Sequence, residues 1–273
     1  MAYQPHIRRY ASQGVTLLGD PGRPEGVTLA FTERTGGCSQ APYGTLNLGV
    51  GYGDDDAAVA KNRRRLLAAL GIEGLGERLV NPLQVHGSEV LVVASGEEAA
   101  VGQAREAARQ GVDAVVCQAA NVPVLLLGAD CPLVVMVAPG AFAVVHSGWR
   151  GTIERICAKA LAKLVELCGC DPSQVLCYVG PHISGADYQV SPELAQRFAR
   201  AFGPEVTPDA THLDLGAAIR ATLLLEGVGE QAIWDQSPST ATCISRFFSY
   251  RASDGRCGRH GALACMLDED VGR

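Results

Sequence analysis

The sequence has no excess of basic residues, no apolar run long enough for a membrane, no internal repeat and no low-complexity tract, and each absence removes a class of function. With Lys+Arg 23 against Asp+Glu 29 the formal net charge is −6, and both signs are mixed along the chain. No basic face for a phosphate backbone is expected, so nucleic acid is not the expected partner. The longest apolar run, Pro132 to Val145, is too short to span a bilayer and is broken by Pro139-Gly140. Met1 to Tyr10 carry Arg8 and Arg9 without the apolar stretch of a secretory signal. A soluble, cytoplasmic protein with small-molecule partners and no membrane segment is therefore expected. Histidine is scarce too: six, spread along the chain, are too few and too scattered for the several His-rich centres of a copper phenol oxidase.

What is present is a core. Of 273 residues 47% are hydrophobic, enough to bury a substantial interior, and no Ser/Pro-rich linker divides the chain, so a single domain over residues 1–273 is expected. Ten cysteines are scattered through this apolar sequence without the spacing of a small secreted framework, and most read as thiols in a reducing compartment.

Short strands alternate with helices. Val27 to Phe31 read as a strand entering a Gly-rich loop, and Asp54 to Asp56 precede an amphipathic helix with Val59, Leu66, Leu67 and Leu70 on its apolar face. The basic cluster Asn62 to Arg65 is read as that helix's solvated side. Strands are expected at Val90 to Val93, Ala114 to Cys117, Val122 to Leu127, Leu133 to Ala138 and Ala141 to His146, the last two forming a hairpin about Pro139-Gly140. Ile153 to Cys168 has helical spacing, and Ser191-Pro192-Glu193 opens another helix with a cap, a first-turn proline and an acid. Further strands are expected at Ala232 to Trp234, Phe247 to Tyr250 and Ala262 to Met266.

The hairpin makes a geometric prediction. If Ala138 pairs with Ala141, Leu133 faces His146, and Cys131, two residues back on the same face, is the diagonal neighbour of His146. A thiol and an imidazole then meet at a strand end, flanked by the loop segments Gly-Ala-Asp-Cys-Pro and His-Ser-Gly-Trp-Arg-Gly. His86, in Gln-Val-His-Gly ahead of another strand, is a third candidate. Two histidines and a thiolate form a catalytic zinc set with a fourth position for water or substrate. Three readings stand at this point: a packed thiol beside a hydrogen-bonded imidazole, that zinc set, or a cysteine nucleophile whose pKa is lowered by His146. Arg150, at the start of the Ile153 helix, and Arg34, in Glu-Arg-Thr-Gly-Gly, are placed either to hold an anion or to brace glycine-rich turns. Cys168-x-Cys170 reads as a thiol pair at a helix end rather than a metal site, and His182 as a loop histidine.

Taken together, Phe31-Thr-Glu-Arg-Thr-Gly-Gly, Leu46-Asn47-Leu-Gly, Gln84-Val-His-Gly, Ala129-Asp-Cys-Pro, His146-Ser-Gly-Trp-Arg-Gly, Phe247-Phe-Ser-Tyr-Arg and Gly258-Arg resemble the laccase-domain, or multicopper polyphenol oxidase, family, reinterpreted as purine nucleoside phosphorylases with adenosine deaminase activity. The resemblance covers nearly the whole chain. It implies an α+β fold, a single domain of mixed β-sheets flanked by helices of the YfiH-like kind. It also implies zinc on His86, Cys131 and His146, with copper the weaker assignment, and purine nucleosides and phosphate as substrates, methylthioadenosine among them. Asp130 is then the candidate acid or base beside the metal ligands, and Arg34, Asn47, Gln84 and Arg150 the candidates for substrate and phosphate. A cysteine amidase acting on peptidoglycan precursors through Cys131 and His146 is the rival reading. The chain departs from the family pattern at Ser147, His182, Ile219 and Ser239-Thr240, none of them a ligand, and these departures bear on substrate range and on any second metal.

Overall fold

Strands made of unbroken apolar runs can only be stable where both faces are covered, and this requirement sets the architecture. In the computed structural model, which describes residues 3–268, two sheets stack face to face with helices on both outer sides. The first sheet runs β1 (Arg8–Ser12), β2 (Val15–Gly19), β3 (Val27–Thr32), β11 (His260–Met266), β6 (Val124–Gly128), each antiparallel to its neighbour. The second is mixed: β10 (Ile233–Trp234) lies parallel to β9 (Leu176–Val179), then come β7 (Leu133–Ala138), β8 (Ala141–His146), β5 (Ala114–Cys117), and finally β4 (Val90–Val93), parallel to β5. This is the α+β arrangement of mixed sheets flanked by helices read from the sequence. Residues 1–2 and 269–273 of the expected single unit lie outside the described residues.

The period of two explains the layering. Leu133, Val135 and Val137 of β7 and Phe142 and Val144 of β8 point between the sheets, where they meet Leu29, Phe31, Leu126 and Ala264 of the first sheet. The alternate residues Val134, Met136, Ala143 and Val145 turn to the other face, under α4 (Ile156–Cys168) and α6 (Leu215–Leu225). On the far side of the first sheet, Leu17, Ala30, Leu125 and Leu263 are covered by Leu66, Leu67 and Leu70 of α1 (Asp56–Ala69) and its end. α2 (Glu98–Ala108) lays Val101, Ala104 and Ala108 against the inter-sheet core.

The hairpin has the expected register, Ala138 opposite Ala141 and Leu133 opposite His146, with Gly140 at φ +74° closing the turn. Several expectations change. The Val122 to Leu127 strand begins at Val124 and extends to Gly128, and the Ala232 to Trp234 strand shrinks to Ile233–Trp234. Phe247 to Tyr250 is irregular; both phenylalanines are buried, so the apolar run reflects packing rather than a strand. The expected helix from Ile153 divides into α3 (Trp149–Ile153) and α4, because Arg155 turns left-handed at φ +62°. Its guanidinium bonds to Ala201 O and Thr222 Oγ1 and lies over the Phe202 ring.

The cluster read as a solvated helix face contains a buried amide with four hydrogen-bond partners. Asn62 is fully buried; its Oδ1 accepts from Cys38 N, and its Nδ2 donates to Ser39 Oγ, Thr45 O and Asn47 O. α1 thereby fixes the loop that follows β3. Substituting Asn62→Ala leaves Cys38 N, Ser39 Oγ and Asn47 O without these partners, while Thr45 O keeps the Ser39 N–H, and is expected to cost about 2–3 kcal/mol, read as a lower urea midpoint with an unchanged slope. An unchanged midpoint would show that this amide does not hold the loop.

Candidate metal centre

His146 ends β8 and Asp113 stands one residue before β5, so the β5–β8 ladder, which pairs Ala114 with Val145, carries the two opposite each other. His146 N donates to Asp113 O, and the side chains meet as well, with His146 Nδ1 2.8 Å from Asp113 Oδ1. The same carboxylate, fully buried, accepts from three successive backbone N–H groups: Val85 at 3.0 Å, His86 at 3.0 Å and Gly87 at 2.8 Å. That grip holds His86 in the left-handed region at φ +59°, a conformation uncommon for a residue other than glycine. Just upstream, Gln84 behaves as an extra strand residue: its Oε1 accepts from Leu127 N and its Nε2 donates to Leu127 O along β6.

Cys131 lies on the short crossover from β6 in the first sheet to β7 in the second. Asp130 shapes that crossover at φ +90°, its carboxylate accepting from Thr240 Oγ1 at 2.6 Å and Arg251 N at 2.7 Å and its carbonyl from Ile183 N. The result is convergence: the ligand atoms of His86, Cys131 and His146 all lie within 4.8 Å of one another, the two imidazoles edge to face with centroids 4.8 Å apart. His86 is exposed, Cys131 half-buried and His146 buried, so the cluster has an open side.

The donor chemistry suits a metal ion. Burial opposes a charged Cys131, but hydrogen bonds and charge from His146 and His86 outweigh it and bring the thiol down to about 6. Burial likewise opposes a charged His146, yet Asp113 and Cys131 raise it to about 9. Burial would also raise Asp113, but His146 and the Gly87 and Val85 amides hold its carboxyl below the usual range. With Asp113 holding Nδ1, Nε2 of His146 is presented to the cluster, the carboxylate–histidine–metal arrangement in which an outer carboxylate fixes the tautomer. A second sign is steric: a Cβ on Gly148 would stand 3.1 Å from both Cys131 Sγ and His86 Cδ2, so this position admits no side chain without displacing the ligands. These residues can hold a metal ion; this is the one such His/Cys/Asp/Glu group among the described residues.

The cluster opens into a cavity of about 420 Å³ whose walls carry Tyr52, Tyr188, Tyr250, Arg251 and Arg259. Arg259 lies over the Tyr52 ring at 4.0 Å and Arg251 over Tyr188 at 5.2 Å. Gln84 and Asp130 also line it, with their polar atoms engaged as described. Asn47 is buried behind the wall, its Oδ1 accepting from Arg259 N at 2.8 Å, so it sets the course of the Arg259 backbone. Arg34 stands apart from the lining, donating to Gly44 O and Ile244 O beneath the Phe248 ring, and Arg150 is exposed over Trp149.

Residues 28–267 match the model of the family described as multi-copper polyphenol oxidoreductase laccase. The chain belongs to that family. Among curated members, it is 37% identical over 254 residues to a purine nucleoside phosphorylase of Corynebacterium glutamicum, covering 92% of this chain and 98% of the relative. It is 35% identical over 255 residues to a purine nucleoside phosphorylase of Deinococcus radiodurans, covering 92% of each. Among solved structures, YlmD from Geobacillus stearothermophilus superposes with a TM-score of 0.83 at 30% identity, over 97% of this chain and all of that one. Bacillus licheniformis YfiH shares the fold at a TM-score of 0.84 and 23% identity, over 96% and 99% of the two chains.

Against the sequence reading, this family member adds Asp113, Arg251, Arg259 and the three cavity tyrosines. Arg251 and Arg259 stood in motifs already noted, Phe-Phe-Ser-Tyr-Arg and Gly-Arg, without a role; Asp113 had no local signal, because only the β5–β8 pairing places it opposite His146. Asp113→Asn keeps the shape but weakens the hold on His146 and the His86 loop. It is expected to lower zinc affinity about 10–100-fold in competition with a chromophoric chelator while the fold survives by circular dichroism. Unchanged affinity would mean that the carboxylate only braces the loop.

Proposed function

We propose that the chain is a zinc-dependent purine nucleoside phosphorylase that also deaminates adenosine, with methylthioadenosine among its phosphorolysis substrates. The observation that carries this reading is a His-Cys-His donor set with one side open to a cavity walled by tyrosines and arginines, in a chain similar to proteins named purine nucleoside phosphorylases. Bound at His86, Cys131 and His146, zinc supplies Lewis-acid chemistry beside the purine. The chain's own groups do the rest. Tyr52, Tyr188 and Tyr250 offer ring faces and hydroxyls to a planar base. The Tyr188 hydroxyl, pushed up to about 12 by burial, is a hydrogen-bond donor on the cavity wall for the departing base.

Inorganic phosphate is assigned to Arg251 and Arg259, the two guanidinium groups on the cavity wall, rather than to Arg34 and Arg150, which do not line the cavity. Asn47 and Gln84 act by fixing the walls, and Asp130 by fixing the crossover that carries Cys131, its oxygens being committed to Thr240 and Arg251.

A second reading has a specific observation in its favour: Cys131, brought down to about 6 beside His146, is also the form of a cysteine nucleophile, as an amidase of peptidoglycan precursors would use. Copper polyphenol oxidation is the weaker assignment, since the described residues hold a single ligand cluster where that chemistry needs several.

Incubating adenosine with and without phosphate separates the reactions: inosine formed without phosphate reports deamination, and free base with ribose 1-phosphate reports phosphorolysis. Chelation is expected to abolish both and zinc to restore them, and Cys131→Ala to lose zinc and turnover together. Full activity after chelation, with loss on thiol alkylation, would replace this reading by the cysteine enzyme. Arg259→Ala is expected to raise KM for phosphate by about tenfold or more, the loss of a charge-assisted hydrogen bond. An unchanged KM would move the phosphate elsewhere.

A further inference from the structure

The metal-side cavity shares Tyr52, Gln84 and Leu127 with a second, larger groove of about 790 Å³ between α1 and α2. Although the chain carries a net −6, four arginines line this groove, Arg63, Arg64, Arg105 and Arg109, against a single acid, Glu77. Arg109 pairs with Glu106, but both are exposed and such a pair leaves most of the charge available. The other three make no ion pair among the described residues. Arg105 donates to the backbone carbonyl of Glu77, and Arg64 is exposed on α1.

Arg63 is the informative one. Its guanidinium is half-buried, with Nε on Leu48 O at 2.9 Å and Nη2 on Asn81 Oδ1 at 2.7 Å, both neutral acceptors. Burial alone lowers its pKa, with no carboxylate to offset it. A neutral donor would make those two bonds without the desolvation cost of a cation, and among the described residues this charge has no ionic partner. The groove is too short of acids to supply that partner itself.

We infer that this arginine groove is a subsite for a phosphoryl group attached to the molecule in the metal-side cavity, so that the two together take a phosphorylated nucleoside as well as the plain nucleoside. The junction at Tyr52, Gln84 and Leu127 is where the sugar passes from one compartment to the other, and Arg63, Arg64, Arg105 and Arg109 meet the charge. The inference rests on the purine reading above and refines its substrate class. It differs from the phosphate site at Arg251 and Arg259, which lies in the metal-side cavity.

Calorimetric titration of the zinc-loaded protein with inosine, inosine 5′-diphosphate and inorganic pyrophosphate tests it. The nucleotide is expected to bind about tenfold or more tightly than inosine, with the advantage shrinking as salt is raised. Arg64→Ala combined with Arg109→Ala, both exposed and outside the metal-side cavity, should cut the nucleotide back to the level of inosine and leave inosine affinity unchanged. Arg63→Gln, which removes the charge and keeps a donor only at the position of Nε, should do the same in part, with the fold checked by circular dichroism. Equal affinity for inosine and its diphosphate, an advantage that survives the double variant, or pyrophosphate binding as tightly as the nucleotide each overturns the subsite. Binding and turnover of inosine with no gain from the diphosphate sink the subsite alone. Arginine-dependent binding of the nucleotide without any binding of inosine sinks the nucleoside reading alone, and no binding by either purine sinks both.

Discussion

One buried carboxylate organises the site. Asp113 has two oxygens and four donors: the N–H groups of Val85, His86 and Gly87, and the imidazole of His146. A charge this deep in an apolar sheet is tolerated only because every lone pair has a partner, and in return it fixes the position and tautomer of one ligand and the backbone of another. The left-handed turn at His86 follows from that grip. The chemical character of Cys131 follows in turn, since the imidazoles that lower its pKa are held where Asp113 puts them.

The same logic of enforced partners governs the layers. The central strands of the second sheet are apolar on both faces because one face meets the first sheet and the other meets α4 and α6. Polar residues within these layers are accordingly hubs rather than bystanders: Asn62 ties α1 to the loop after β3, and Asn47 joins that region to Arg259. Asp130 binds Thr240 and Arg251 from the segments that close the cavity. Structural and functional residues are thus linked by few bonds, and several motif residues act one step away from the cavity they serve.

Legibility in the sequence tracked the range of the interactions. The β7–β8 hairpin was readable because its register depends on two residues, Pro139 and Gly140, and on period-two alternation; that register already placed Cys131 beside His146. Helix starts at Asp55 and Ser191 were readable for the same local reason. His86 entered through composition and family resemblance, since it reaches the cluster only by way of Gln84 on β6 and Asp113 before β5. Asp113 itself could not be found, because nothing near it in the chain says that β5 is the neighbour of β8. In the Asn62 to Arg65 segment charge does not mean solvent, because the fold turns Asn62 fully inward and half-buries Arg63. Phe247 to Tyr250 shows the converse, burial without a strand.

The three ligands meet where the two sheets adjoin. His86 follows a segment clamped along β6 of the first sheet, His146 ends a strand of the second, and Cys131 sits on the only few residues of backbone that pass directly from β6 to β7. An ion held there is consequently a rivet through the seam between two sheets. It would make the spacing of the sheets and the filling of the site one mechanical variable, so that anything prising the sheets apart at this end would also loosen the hold on the ion.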